Sequence, residues 1–356
     1  MEISKIDKNF ATGEAVIPRG TKEVVLPSDN IGLYGIKYDE EKGFFGRMDY
    51  ETAEKVSYNV KVLSTTTAGG RARFSTDSKV FYLSVKYKYL AKMTNMPLSG
   101  SSGFSLIDET DGVQKLVAAF RPKISDETGF TAETPLKGEG VRDYVLYFPL
   151  YNDYITEVRL AFDKESVVTK GKKYDFDLPI LYYGSSITQG GCCSRPDNCY
   201  QAYISKWHNA DYINLGFSGS AKAESEMLEY LASIKSLIFV CDYDHNAPDV
   251  GFLKATHINV YNAYRIKNPD TPIIFMSKPD FDGDEAENLR RIKIIRRTYD
   301  IARKSGDKNV YFIDGRKLFG KKDRENCTSD GCHPNDLGFY RMAEELDKVI
   351  AKLLNK

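Results

Sequence analysis

Pro179-Ile180-Leu181-Tyr182-Tyr183-Gly184-Ser185-Ser186-Ile187-Thr188-Gln189-Gly190 is the stretch whose reading decides the fold. Its apolar run, Ile180 to Tyr183, reads as a buried strand that Gly184 stops. Two serines and a loop follow, and from about Cys199 a helical pattern begins. In an open parallel sheet, ligands bind outside the carboxyl ends of the strands, and glycine lets the backbone turn sharply enough to expose a hydroxyl there. A Gly-x-Ser after a strand is also an ordinary turn. The stretch therefore needs partners elsewhere before it carries chemistry.

Beyond it, strand and helix patterns alternate. Helical spacing over 199–208 is followed by a strand at 212–215, a helix over 224–234 and a strand at 237–241. Then come a helix over 250–266, a strand at 272–277, a long charged helix over 284–304, a strand at 310–314 and a closing amphipathic helix over 334–354. Such alternation predicts a parallel sheet covered by helices on both faces, a three-layer α/β arrangement of flavodoxin-like type. Residues 1–175 have a different grain. Phe81, Leu83, Val85, Tyr87 and Tyr89 alternate with smaller or polar residues, and Asp111-Gly112 separates two apolar runs as a hairpin turn would. Further strands are expected at 144–148 and 155–162, with no sustained helical pattern, so an all-β, jelly-roll-like sandwich is expected over 1–175. The polar run Lys170-Gly171-Lys172-Lys173 places the boundary, with a second domain over 176–356.

The missing partners lie downstream. Asp330 and His333 stand three apart in a glycine-containing loop before the last helix, close enough for the carboxylate to hold the imidazole. A serine nucleophile needs that pair: a base for its proton, and an anion to fix the base's tautomer and stabilise the imidazolium. Gly219, after the 212–215 strand, can offer a backbone N–H to an oxyanion, and Asn246, after the 237–241 strand, a side-chain amide. All five residues then fall at strand ends or in the final strand-to-helix loop.

Ser, Gly, Asn and His in that order at successive strand ends resemble the SGNH (GDSL-type) hydrolase family, from roughly residue 178 to the end. By that resemblance Ser186 is the nucleophile, Gly219 and Asn246 are oxyanion donors together with the N–H of Ser186, and Asp330 and His333 complete the catalytic set. The family's Gly-Asp-Ser-(Leu/Ile) reads Gly184-Ser185-Ser186-Ile187 here, and its Gly-x-Asn-Asp reads Asp244-His245-Asn246-Ala247. Gly32-Leu33-Tyr34-Gly35 resembles the motif of an N-terminal module found ahead of such domains. The resemblance implies a serine esterase acting on short-chain O-acyl esters, acetyl groups on carbohydrates foremost, with no metal or organic cofactor. An acyltransferase, or a carbohydrate-binding protein whose SGNH half is inactive, stands as the alternative.

Other polar residues carry two readings each. Arg195 either holds a polar group of the substrate or pairs with a neighbouring carboxylate, and Lys278 is placed similarly. His208 and His257 sit in helical patterns as surface or packing residues. Asp242, Asp244 and His245 invite a metal, but no second His/Cys set completes a ligand spacing, and none is expected. Cys192, Cys193 and Cys199 follow the nucleophile while Cys327 and Cys332 lie in the His333 loop, so a folded triad brings the two groups together. Reduced thiols are the expectation, with a disulfide or adventitious zinc as the alternative.

Composition bounds the remainder. The 356 residues suggest two domains, and 50 Lys plus Arg against 50 Asp plus Glu give no basic field for nucleic acid or a membrane surface. No apolar run has the length of a spanning helix. The first residues, Met1-Glu2-Ile3-Ser4-Lys5, carry no hydrophobic signal region, so a cytoplasmic protein is expected, although a trimmed secreted chain reads the same. The expected partner is a small-molecule or oligosaccharide ester, and the sequence does not fix the oligomeric state.

Overall fold

A computed structural model describes residues 3–7 and 15–355. Five parallel strands form the sheet of the C-terminal half, in the order Tyr212–Gly216, Ile180–Gly184, Ile238–Asp242, Ile273–Met276, Val310–Ile313. The first strand in sequence thus lies between the second and the third. Chain connections leave Ile180–Gly184 in opposite directions, and the crevice at its carboxyl end is the topological switch point.

Side-chain alternation along the strands sorts the core into two layers. Ile180 and Tyr182 face one side, with Ile238, Val240, Ile274 and Met276, under the helices Tyr200–His208 and Asp336–Leu354. Leu181 and Tyr183 face the other, with Phe239, Cys241, Ile273 and Phe275, under Ser225–Ser233, Val250–Lys267 and Glu285–Lys304. The long charged helix begins where Asp284 accepts a hydrogen bond from the Glu287 N–H, and the last where Asn335 accepts one from Gly338.

The all-β, jelly-roll-like sandwich expected over 1–175 is corrected by the structure. Two antiparallel sheets are present, one built on Val80–Tyr87 and Ile155–Phe162, the other on Arg71–Thr76 and Arg142–Tyr147, and the 104–108/115–120 hairpin pairs around its turn. With them, however, stand the helices Tyr50–Val56, Tyr58–Ser64 and Leu98–Ser101, so the region mixes helix and strand. The first two are only seven residues long, too short to show a period against the surrounding sequence. Caps and packing make them. Asp49 accepts from the Thr52 N–H at 2.8 Å and Ser57 from the Val60 N–H at 3.2 Å, while Ala53, Val56 and Val60 are buried with Leu181 and Tyr183.

Both layers of the C-terminal core draw on the N-terminal half. Ala68, Ile107, Val145, Tyr147 and Leu150 pack with Ile180, Tyr182 and Tyr212. Buried Arg71 donates to the Tyr212 carbonyl at 3.0 Å and pairs with Asp211 while lying over the Tyr212 ring. Buried Arg47 donates to the carbonyls of Asn214 and Gly216 at 3.0 and 2.8 Å. Among the described residues, no helix is long and apolar enough to cross a membrane.

Candidate active site

Gly184 ends its strand against two other side chains. A Cβ there would lie 1.7 Å from Asp242 Oδ1 and 2.1 Å from Thr188 Oγ1, so only glycine fits. The chain then turns into the short helix Ser186–Gln189, whose first N–H groups have no intrahelical acceptor. Ser185 Oγ takes the Ile187 N–H at 3.2 Å. A buried polar bracket fixes this helix. Asn214 and Gln201 each donate to the Thr188 carbonyl at 2.7 Å, Thr188 bonds Asp242, and Tyr200 donates to Asp242 at 3.0 Å. Burial raises the Asp242 carboxyl to about 6 against those hydrogen bonds.

Ser186 Oγ lies 2.9 Å from His333 Nε2, and His333 Nδ1 lies 2.8 Å from Asp330 Oδ2. Each imidazole nitrogen therefore has its own partner, the arrangement in which Nδ1–H points at the carboxylate and the Nε2 lone pair at the hydroxyl. Asp330 also accepts the backbone N–H of His333 at 2.7 Å and of Cys332 at 3.1 Å, and the side-chain amide of Asn95 at 3.0 Å. Partial burial pushes its carboxyl up, but these bonds outweigh burial and hold it at about 2. His333 is raised to about 9, first by the neighbouring Cys332 sulfur, against burial, and then by Asp330.

Gly219 sits on the exposed rim with φ +64, a backbone conformation that favours glycine, in a turn closed by the Ser220 N–H on the Phe217 carbonyl at 2.9 Å. Asn246 Nδ2 donates to that same carbonyl at 2.7 Å. A carboxamide nitrogen carries two hydrogens, and this bond uses one. Gln189 Oε1 accepts the Ser218 N–H at 3.0 Å, so the helix Ser186–Gln189, the Gly219 turn and Asn246 are tied together. Arg195 is directed into its own loop, with Nε and Nη2 on the Asp197 carboxylate at 3.0 and 3.1 Å and a further bond to Asn198. Lys278 Nζ reaches Asp280 Oδ2 at 3.5 Å, and its backbone N–H donates to Asp244.

Residues 177–351 match the GDSL-like Lipase/Acylhydrolase family, and residues 26–168 match the family described as the N-terminus of Esterase_SGNH_hydro-type. A candidate GDSL-like lipase from Bacteroides ovatus ATCC 8483 has 30% identity and a TM-score of 0.81, over 94% of this chain and 98% of that one. The chain belongs to the GDSL-like lipase/acylhydrolase family. At lower identity the fold is shared with the salicylyl-acyltransferase SsfX3 of a tetracycline biosynthetic pathway (18%, TM-score 0.76, 95% of this chain and 98% of that one). It is shared too with a family two carbohydrate esterase from Clostridium thermocellum (16%, TM-score 0.62, 91% and 99%). No curated protein matches.

In this GDSL-like chain two residues near the triad gave no sequence signal. Asn95 reaches Asp330 from the N-terminal half, and Tyr151, from the same half, places its hydroxyl 2.7 Å from Ser218 Oγ and 3.4 Å from the Ser186 carbonyl. Nothing in their local sequence marks either one, because their role comes from the docking of the two halves. The Asp242–Asp244–His245 grouping does not converge as a ligand set. Asp242 is held by Thr188 and Tyr200, and Asp244 by Arg291 and the Lys278 N–H. His245 instead stands with Asp280 and Cys332, and a second group joins Cys192 with Asp330 and His333. All six cysteines are free thiols.

Proposed function

We propose that this protein is a serine esterase that hydrolyses short-chain O-acyl esters, acetyl esters of carbohydrates in particular. The observation that carries the reading is the hydrogen-bonded line Ser186–His333–Asp330 at the switch point of a parallel sheet. Ser186 Oγ attacks the ester carbonyl as His333 Nε2 takes its proton. His333 then gives that proton to the leaving alcohol, and Asp330 orients the ring and stabilises the imidazolium. The N–H groups of Ser186 and Gly219 and the second amide hydrogen of Asn246 receive the oxyanion. Water, activated by the same histidine, frees the acyl-enzyme.

The carbohydrate reading is supported by the fold shared with the Clostridium thermocellum carbohydrate esterase over both halves of the chain. We read residues 1–175 as an accessory unit that helps to shape the alcohol side of the site, and 176–356 as the hydrolase unit. The contacts of Asn95 and Tyr151 with the triad region support that division of labour. The fold shared with SsfX3 favours one second reading, acyl transfer to an alcohol in place of water.

Turnover of p-nitrophenyl acetate and octanoate, with acetylated oligosaccharides as competitors, tests the proposal. Acetate faster than octanoate, with competition by the sugars, is expected; faster octanoate turnover points to a lipase-like groove. Product analysis with an acceptor alcohol separates transfer from hydrolysis.

A further inference from the structure

We propose that His245, Asp280 and Cys332 form a binding site for one divalent transition-metal ion of the zinc type, beside the triad. The three residues come from different elements. His245 lies in the turn Tyr243–Asn246 after the strand Ile238–Asp242, Asp280 in the loop after Ile273–Met276, and Cys332 in the loop before the last helix. The parallel sheet brings all three to its carboxyl edge. His245 Nε2 lies 3.1 Å from Asp280 Oδ2 and 3.2 Å from Cys332 Sγ, and the three ligand atoms all lie within 4.8 Å of one another.

The geometry distinguishes this cluster from a second nucleophilic triad. A Cys-His-Asp relay uses the two imidazole nitrogens separately, as His333 does with Ser186 and Asp330. Here the sulfur and the carboxylate both converge on Nε2. That nitrogen carries at most one proton, so one hydrogen bond from it leaves the other partner unserved, whereas a cation can take all three ligand atoms. A second observation agrees. Asp280 Oδ1 is buried and has no hydrogen-bond partner, on a side chain 10% exposed. Its other oxygen, Oδ2, is the one at His245 Nε2, and a cation held by this carboxylate offsets the cost of burying its charge.

Thiolate, imidazole and carboxylate together are a borderline-soft set that suits zinc. With metal–ligand bonds of about 2.0–2.3 Å in tetrahedral geometry, ligand atoms stand roughly 3.3–3.6 Å apart. The two spacings to His245 Nε2 need an outward shift of only a few tenths of an ångström. Binding releases the thiol proton of Cys332 and any proton on His245 Nε2 to solvent, and three protein ligands leave a fourth position for water. Lys278, whose Nζ is 3.5 Å from Asp280 Oδ2, opposes the ion by its charge. The neighbouring group of Cys192, Asp330 and His333 is the less suited of the two, since both nitrogens of His333 are already engaged.

The test uses the full chain, stripped with chelator and titrated with Co²⁺ and Zn²⁺. One equivalent of Co²⁺ should bind with a thiolate-to-cobalt charge-transfer band in the near ultraviolet, and Zn²⁺ should displace it. The band should vanish in Cys332→Ser and persist in Cys192→Ser. Affinity should fall by more than about tenfold in His245→Gln and Asp280→Asn, and rise in Lys278→Met. In the unaltered chain, Zn²⁺ should protect Cys332 from alkylation by iodoacetamide, read by peptide mass spectrometry, so the proposal remains testable should a variant fail to fold. The absence of a thiolate band and of Cys332 protection, a band retained in Cys332→Ser, or one lost in Cys192→Ser would each overturn it.

Discussion

At the scale of the residue, the proposed mechanism makes His333 the group that sets the working pH. Its ordinary value lies near 6.5, and the sequence alone suggests a base titrating at roughly 6 to 7. In the folded chain the Cys332 sulfur, against burial, and then Asp330 raise it to about 9. In the proposed mechanism the neutral imidazole is the base, so kcat/KM of chelator-treated protein should climb with pH through about 9 and level off above it. Cys332→Ser removes the largest upward influence and should move that limb down by a unit or more, toward about 6.5, in a pH–rate profile; an unmoved limb would disprove the influence. Asn246 provides a separate test. In the proposed mechanism its amide acts on charge that develops only in the transition state, so Asn246→Ala should lower kcat by roughly two to three decades with KM changed far less. A loss of only a few-fold in steady-state kinetics would remove Asn246 from the oxyanion site.

At the scale of the element, the turn from Gly184 into Ser186–Gln189 depends on close packing. In Gly184→Ala the new methyl would meet Asp242 and Thr188, whose own hydrogen bond closes the bracket under the nucleophile. Overpacking of this kind costs about 1–3 kcal/mol, so the unfolding free energy should fall by that amount and the denaturant midpoint with it. An unchanged midpoint would mean that the bracket yields. The strand itself was legible because Ile180 to Tyr183 is apolar on both faces, as a strand covered by helices on both sides must be. The site residues could be ordered because each follows such a strand. Helices Tyr50–Val56 and Tyr58–Ser64 were not legible. Their two turns carry too few apolar residues for a period, and what stabilises them is a surface on the other half of the chain.

At the scale of the whole molecule, the halves share their cores. Removing residues 1–175 would expose Ile180, Tyr182 and Tyr212, strip Asn214 and Gly216 of the Arg47 donors, and take Asn95 from Asp330. The fragment 176–356 should therefore lose near-ultraviolet circular dichroism and ester turnover together; a cooperatively folded, fully active fragment would show the N-terminal half to be dispensable. The polar run at 170–175 is the boundary that the sequence suggests between the two halves. It could not show how the two dock, because Arg47, Arg71 and Asn95 resemble surface residues until their partners arrive from more than a hundred positions away. The central claim is that Ser186 is the nucleophile of an acyl-enzyme. Labelling the active protein with a fluorophosphonate and mapping the adduct by peptide mass spectrometry tests it most directly. The account predicts one adduct, on Ser186, abolished in Ser186→Ala together with roughly four to six decades of kcat. An adduct on Ser185, or none on a preparation that still turns over esters, would contradict it.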